Sequence, residues 1–210
     1  MNVLTDNGSI DIRAVWFENN CVKMIDQRVL PHKFEIIEFK DYLDVAEAIR
    51  NMTVRGAPAI GASAAYGMAL AYLQGADLSK AAADLKSTRP TAFDLFYAVD
   101  RMLEASENKE NLVDAANGYA DKIVDKCRKI GEYGAELIAD GNVIMTHCNA
   151  GALATVDIGT ALAPMRVAKN QGKNIFVYTS ETRPRLQGMK LTAWELLNEG
   201  IPHKIIADGA

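Results

Sequence analysis

The sequence predicts an α/β protein: a mainly helical N-terminal domain with a small β-hairpin entrance, followed by a Rossmann-like domain with a parallel sheet. Three observations predict this class. Short alternating segments fill the first forty residues, alanine-rich helical segments follow Asp41, and strand and helix segments alternate after Gly141. Strands that alternate with helices through short loops are typical of a parallel α/β sheet. We place the domains at residues 1–129 and 130–210.

The N-terminal strands are predicted from alternation. IRAVWFE and CVKMIDQ flank a predicted turn at residues 18–20, and KFEIIEF supplies a third strand. After Asp41, apolar residues recur at three-residue steps, which predicts a helix with Asp41 near its cap. Further helices are predicted over APAIGASAAYGMALAYLQG and residues 77–86, 91–104 and 111–139.

The C-terminal elements are predicted from short apolar runs. NVIMTHC, NIFVYTS and KIIAD read as strands, AGALATV begins a helix, and residues 189–199 form another. The chain stops directly after the third strand. We therefore expect an incomplete domain with an exposed apolar sheet edge.

Composition excludes several functions. The net charge is -4, the pI is about 5.4 and no Lys/Arg cluster occurs, so we expect no nucleic-acid partner. No apolar run reaches the roughly 20 residues of a membrane span. The N-terminus, MNVLTDNGSIDIR, has acidic residues where a secretory signal would have a basic region and an apolar run, so we expect a cytoplasmic protein. Three scattered cysteines and three scattered histidines predict reduced thiols and no metal site.

Three segments share an arginine just before Gly or Pro and a predicted helix: TVRGAPAIG with Arg55, STRPTAFDL with Arg89, and SETRPRLQG with Arg183. Proline suits a first helical turn, and the free amides at a helix start suit phosphate. Gly56 would let the backbone approach an oxygen closely. These segments predict an anionic ligand, although each alone could be a capped helix start with a solvent-facing arginine.

Cys148 lies in MTHCNAGALAT, where an apolar strand ends and a helix is predicted to begin. Ligands of open α/β sheets bind at this carboxyl edge. A helix start beside the thiol would favour the thiolate, which could act as a nucleophile or a base. An apolar surrounding would favour the neutral thiol, which could donate a proton, and these roles all remain open. The alternative role for Cys148 is that of a small, buried hydrophobic residue. For Cys21 and Cys127, this role is the preferred interpretation.

Asp208 follows the strand KIIAD and occupies the same kind of position as Cys148. Its alternative role is the N-cap of a following helix. Together, this carboxylate and the Cys148 thiol form a pair that could carry proton-transfer chemistry. His147 adjoins Cys148, but adjacent strand residues point to opposite faces, which argues against a Cys–His dyad.

Five ordered motifs carry a resemblance to a known family: TVRGAPAIGASAAYG, STRPTAFDLFYAVDRM, MTHCNAGALAT, ETRPRLQGMKLTAWEL and IPHKIIAD. Together with DQRVLP near the N-terminus, they resemble the methylthioribose-1-phosphate isomerase family. That family implies isomerisation of 5-methylthioribose 1-phosphate to 5-methylthioribulose 1-phosphate in methionine salvage, without a cofactor and as a homodimer when full length. Its members continue with a further C-terminal segment, so weak or no activity is expected of these 210 residues alone.

The resemblance also implies roles for individual residues. Cys148 and Asp208 match the family's catalytic pair. Its substrate-binding residues match the following positions: Arg55, Gly56, Ala57, Arg89 and Gln187. Two alternatives belong to the same superfamily: a ribose-1,5-bisphosphate isomerase, and a non-catalytic regulatory subunit that binds a sugar phosphate or nucleotide.

Overall fold

The computed structural model describes residues 1–5 and 8–210 of the chain. The strands are β1 (Asn2–Thr5), β2 (Gly8–Asp11), β3 (Val15–Glu18), β4 (Cys21–Ile25), β5 (Ile36–Phe39), β6 (Val143–Thr146), β7 (Phe176–Ser180) and β8 (His203–Ile206). The α-helices are α1 (Tyr42–Arg50), α2 (Ala57–Leu73), α3 (Leu78–Ser87), α4 (Phe93–Glu107), α5 (Leu112–Glu136), α6 (Ala152–Thr155), α7 (Leu162–Asn170) and α8 (Ala193–Asn198). A π-helical turn, Gly188–Thr192, precedes α8. The mixed α/β class predicted from the sequence is confirmed.

The chain folds as two compact units. The α/β unit comprises Met1–Arg13, Leu30–Lys33 and Val124–Ala210, and the helical unit comprises Ala14–Val29 and Phe34–Ile123. Helix α5 contributes residues to both. The division into functional domains at residues 129 and 130 stays a prediction.

The helical unit opens with the predicted hairpin. Strands β3 and β4 pair antiparallel with Glu18 opposite Cys21, and β5 pairs with β4 on the other side. Asn19 and Asn20 both have positive φ, 53° and 58°, which is the backbone of a tight hairpin turn. The Asp41 side chain accepts a 2.8 Å hydrogen bond from the Leu43 amide, so the predicted cap of α1 is confirmed.

Helix α2 forms the centre of the helical unit. Every residue from Ala59 to Ala71 is buried, which is possible because alanine and glycine dominate the segment and neighbouring helices can approach closely. Neither α2 nor any other helix in the described ranges is long and apolar enough to cross a membrane.

The α/β unit contains the predicted parallel sheet. Its strand order is β6-β7-β8, with Thr146 opposite Thr179 and Ser180 opposite Ile206. The core on this sheet consists of Leu162, Met165, Ile175, Val177, Leu196 and Ile201. On the edge strand β6, Val143 and Met145 are each 64% exposed. The expected exposed apolar edge of an incomplete sheet stays a prediction.

Four local expectations need correction. An additional antiparallel hairpin, β1–β2, precedes the predicted one. The helix predicted to begin at AGALATV is only the four-residue α6, and α7 was missed. The helix predicted over residues 189–199 begins as the π-helical turn. Pro90 and Pro184 lie in turns before their helices rather than in the first helical turn, because α4 starts at Phe93 and the π-helical turn at Gly188.

Candidate active site

Cys148 lies two residues beyond β6, at the carboxyl edge of the parallel sheet. Its side chain is half-buried, and its backbone has a left-handed φ of 61°. Both peptide groups are held by threonines: the Cys148 amide donates to Thr182 Oγ1 at 2.9 Å, and Thr192 Oγ1 donates to the Cys148 carbonyl at 2.6 Å. A left-handed backbone is costly for a residue other than glycine, so surrounding contacts must maintain it.

Asp208 lies two residues beyond β8, at the same edge. Its carboxylate accepts hydrogen bonds from the backbone amides of Thr182 at 2.9 Å and Arg183 at 2.7 Å. Hydrogen bonds from the backbone amides lower the pKa of the Asp208 carboxyl below its ordinary value, because they stabilise the charged form. The Arg183 amide has the larger effect and the Thr182 amide the next. The carboxylate therefore holds the turn after β7, a use that differs from the helix cap considered for it.

Thr182 connects the two candidate catalytic residues. Its hydroxyl accepts from Cys148, and its amide donates to Asp208. Thr182 is buried and follows the central strand β7, between the ends of the two edge strands. The structure thus brings the thiol-bearing and carboxylate-bearing turns together through a single residue that sequence reasoning missed.

His147 bonds across the sheet rather than to Cys148. Its Nδ1 atom lies 2.7 Å from Ser180 Oγ, and Ser180 Oγ lies 3.0 Å from Thr182 Oγ1. This places His147 in the same polar network as Thr182. The expectation that His147 and Cys148 form no direct dyad agrees with this geometry.

Glu195 is the second residue that sequence reasoning missed. Its buried carboxylate accepts hydrogen bonds from Asn149 Nδ2 at 2.8 Å and the amide of Ala152 at 2.7 Å, and a longer one from Leu153. The start of α6 is therefore occupied by a protein carboxylate. The signal that could have revealed Glu195 is its charge inside the apolar run LTAWELL.

Gln187 is half-buried and immediately precedes the π-helical turn. The next residue must be glycine, because a Cβ atom at Gly188 would overlap the Ser180 carbonyl oxygen. This close approach draws the Gln187 segment against the end of β7. Arg183, by contrast, is exposed and forms an ion pair with Glu181 at 2.9 Å.

The remaining predicted ligand-binding residues belong to the helical unit. Arg55 and Ala57 flank Gly56, which caps α2 with a φ of 95°, a conformation that favours glycine. Arg89 is half-buried in the turn between α3 and α4.

The first turns of α2 and α4 lie side by side within this unit. A Cβ atom at Gly61 would lie only 3.0 Å from the Asp94 carbonyl oxygen and 2.8 Å from the Tyr119 hydroxyl. Gly61 therefore permits the close approach of the two helices. As a result, the segments that carry Arg55 and Arg89 lead into neighbouring helix starts.

The candidate site brings together a thiol, a carboxylate and hydroxyl groups. Within residues 1–5 and 8–210, no three His, Cys, Asp or Glu side chains are grouped so that they could hold a metal ion. Cys21 and Cys127 are buried, as expected of cysteines with a packing role, and only Cys148 of the three thiols is partly exposed.

The fold and this geometry define an α/β protein whose parallel sheet carries a thiol and a carboxylate at the carboxyl ends of its two edge strands, on either side of β7. The chain belongs to the Initiation factor 2 subunit family, which residues 53–210 match. A putative methylthioribose-1-phosphate isomerase of Methanocaldococcus jannaschii is 52% identical over 94% of this chain and 61% of its own length. A methylthioribose-1-phosphate isomerase of Chloroflexus aurantiacus is 48% identical over 95% of this chain and 62% of its own. The resemblance drawn from the motifs is confirmed.

Solved structures agree with these relatives. The 5-methylthioribose 1-phosphate isomerase of Pyrococcus horikoshii matches with a TM-score of 0.87 and 42% identity over 95% of this chain and 61% of that one. The translation initiation factor eIF-2B, subunit delta, from A. fulgidus matches with a TM-score of 0.88 and 45% identity, over 95% of this chain and 63% of that one. The chain thus spans less than two thirds of the length of these relatives.

Proposed function

We propose that the gene product containing this chain is an aldose–ketose isomerase that converts 5-methylthioribose 1-phosphate to 5-methylthioribulose 1-phosphate. The observation that carries the proposal is the link from Cys148 through Thr182 to Asp208. Relatives of 52% and 48% identity that bear the isomerase name support the choice of substrate. The reaction would serve methionine salvage, in the cytoplasm, with the full-length protein as a homodimer.

The chemistry of the substrate explains why two proton-handling groups are needed. Phosphate on the anomeric oxygen prevents spontaneous ring opening, so the bond between C1 and the ring oxygen must be broken within the site. The ring oxygen gains a proton, one hydrogen moves from C2 to C1, and the C2 hydroxyl loses its proton as it becomes a carbonyl. A positioned acid and base accelerate such proton transfers by about 10²–10⁴-fold.

The two groups divide this work in the proposed mechanism. Asp208 interacts with the sugar hydroxyls or the ring oxygen. Its lowered pKa keeps it ionised at neutral pH, so it can accept the proton that the C2 hydroxyl loses, and it could protonate the ring oxygen only after it has taken up a proton. Cys148 acts at C1–C2, and its side chain is half-buried.

Phosphate binding is proposed for the helical unit. Arg55, Gly56 and Ala57 would bind the phosphate at the start of α2, since a helix N-terminus favours an anion. Arg89 and Gln187 would make further substrate contacts. An arginine beside a helix N-terminus suits a dianion, because the guanidinium adds a permanently charged pair of donors.

Replacement of Cys148 by alanine tests the proposal. We expect Cys148→Ala to abolish turnover while binding of the sugar phosphate, measured by calorimetry, is retained.

Running the wild-type reaction in deuterated water separates two routes for the hydrogen. Full solvent exchange at C1 would rule out a pure hydride shift, whereas no exchange would support one. Turnover of 5-methylthioribose 1-phosphate and ribose 1,5-bisphosphate by the same protein distinguishes the two isomerase activities.

A second candidate is a non-catalytic regulatory subunit that binds a sugar phosphate or nucleotide. The 45% identity to a structure named as a translation initiation factor subunit favours it. Such a subunit needs neither the thiol nor the carboxylate for its role. If the regulatory subunit is the correct function, the wild-type protein has no isomerase turnover. Cys148→Ala then leaves binding of the sugar phosphate or nucleotide unchanged.

A further inference from the structure

The buried carboxylate of Glu195 lies directly behind the loop that carries Cys148. The residue is only 3% exposed, yet its carboxylate accepts hydrogen bonds from three N–H donors, supplied by Asn149, Ala152 and Leu153. Burial of an acidic group is costly unless hydrogen bonds compensate for the lost water. These donors all belong to the five residues that follow Cys148, so the compensation comes from that loop.

The same helical segment also holds Cys148 itself. Thr192, three residues before Glu195, donates to the Cys148 carbonyl at 2.6 Å and accepts from Asn149 Nδ2 at 3.2 Å. Gly151 completes the fit, because a Cβ atom there would overlap the Glu195 carboxylate. The loop and the helix are therefore complementary in shape as well as in hydrogen bonding.

We propose that Glu195 is a positioning residue that fixes residues 148–153, so that the Cys148 thiol keeps one direction relative to Asp208. The left-handed backbone of Cys148, with a φ of 61°, requires such restraint, since an unrestrained loop would relax to a more favourable conformation. The consequence for turnover rests on the proposed isomerase function. The restraint on the loop stands independently of it.

Glu195→Gln is the direct test, and Glu199→Gln is the matched control. Glutamine keeps the size of the side chain, but its NH₂ group would face an N–H donor and cannot replace both carboxylate oxygens. Glu199, one turn further along, pairs with Arg166 and Asn2 rather than with residues 148–153. The first readout is the rate constant for alkylation of Cys148 by iodoacetamide, located by peptide mass mapping. Alkylation of the buried Cys127 reports general unfolding.

For Glu195→Gln we expect alkylation of Cys148 to rise about 10-fold, because bonds to a charged group are lost. Cys127 should stay protected from alkylation. In the Glu199→Gln variant, Cys148 should be alkylated at the wild-type rate. The second readout is turnover: kcat should fall about 100-fold from misplacement of the thiol, while KM for the sugar phosphate stays within about 3-fold. A residue with a merely structural role would lower the amount of folded protein without separating kcat from KM.

Thr192→Val provides a second variant if Glu195→Gln fails to fold. Valine keeps the shape of threonine and removes the hydroxyl that holds the Cys148 carbonyl, so it should also raise alkylation of Cys148 selectively. Wild-type alkylation and kcat in a folded variant, or equal increases at Cys148 and Cys127, would overturn the proposal. If the wild-type protein has no turnover but the selective alkylation change occurs, the positioning role stands and the isomerase function fails.

Discussion

The backbone amide of Cys148 donates a 2.9 Å hydrogen bond to the Thr182 hydroxyl, across 34 residues of sequence. The amide of the same threonine donates to Asp208 at 2.9 Å. One residue at the end of the central strand therefore sets the separation of the thiol-bearing and carboxylate-bearing turns. A shift of Thr182 would move both.

Thr182→Val removes the hydroxyl but keeps the amide and the β-branched shape. We expect kcat to fall about 10- to 100-fold, because the Cys148 turn loses its partner while Asp208 keeps its own. Steady-state kinetics with the sugar phosphate measure the change. Thr160→Val is the control, since the Thr160 hydroxyl makes only a 3.4 Å bond to the Ala150 carbonyl. Unchanged kcat in Thr182→Val would show that Thr182 does not align the pair.

The Asp208 carboxyl should titrate below about 3.9, the ordinary value for aspartate, because two backbone amides stabilise its charged form. Its folded pKa lies below its unfolded one. Its small contribution to stability is thus present above the unfolded pKa and lost as pH falls through the folded pKa. Carboxyl carbon chemical shifts recorded against pH would measure this midpoint. A midpoint at or above 3.9 would contradict the amide geometry.

The stability contributed by Glu195 should depend on pH with the opposite sign. Burial raises the pKa of its carboxyl in the folded protein, although Asn149 and Arg166 oppose the effect. The folded state then binds the proton more tightly than the unfolded chain does. The stability contributed by this group is present below the unfolded pKa, about 4.3, and is lost as pH rises through the folded pKa.

Urea unfolding of the wild type and Glu195→Gln between pH 4.5 and 8 tests this sign, since glutamine does not titrate. The free energy of unfolding of the wild type, relative to the variant, should decrease with rising pH. A difference that stays constant across the range would mean that burial does not shift the Glu195 pKa.

Two glycines of helix α5 should respond in opposite ways to alanine. A Cβ atom at Gly134 would overlap the ring of Pro164, whereas a Cβ atom at Gly118 meets no atom within 4 Å. We expect Gly134→Ala to destabilise the fold by about 1–3 kcal/mol through overpacking. Gly118→Ala should stabilise it by up to about 1 kcal/mol through helix propensity. Thermal melting of both variants measures the effects, and a stabilised Gly134→Ala would contradict the packing of α5 on α7.

Local patterns predicted the elements whose formation depends on near neighbours. The Asp41 cap, the turn at Asn19 and Asn20, and the parallel strands all depend on adjacent residues or on short apolar runs. Arg55 and Gly56 were likewise placed correctly before a helix start. Here sequence and structure agree because capping and turn chemistry operate within a few residues.

Contacts between distant residues were not predictable in this way. The start of the short α6 depends on Glu195, which lies 43 residues beyond the Ala152 amide that it binds. Thr182 was passed over because its partners lie 34 and 26 residues away. Such pairings depend on how the sheet and helices pack, and no local periodicity encodes them.

Whether Cys148 and Asp208 act as one catalytic unit can be measured with four proteins: wild type, Cys148→Ala, Asp208→Asn and the double variant. Phosphorus NMR would follow conversion of 5-methylthioribose 1-phosphate to the ketose by the gene product that contains this chain. We predict that each single variant loses about 10²–10⁴-fold in kcat/KM, and that the double variant loses no more than the worse single one. Wild-type turnover in a folded Cys148→Ala protein, or losses that multiply in the double variant, would contradict the account.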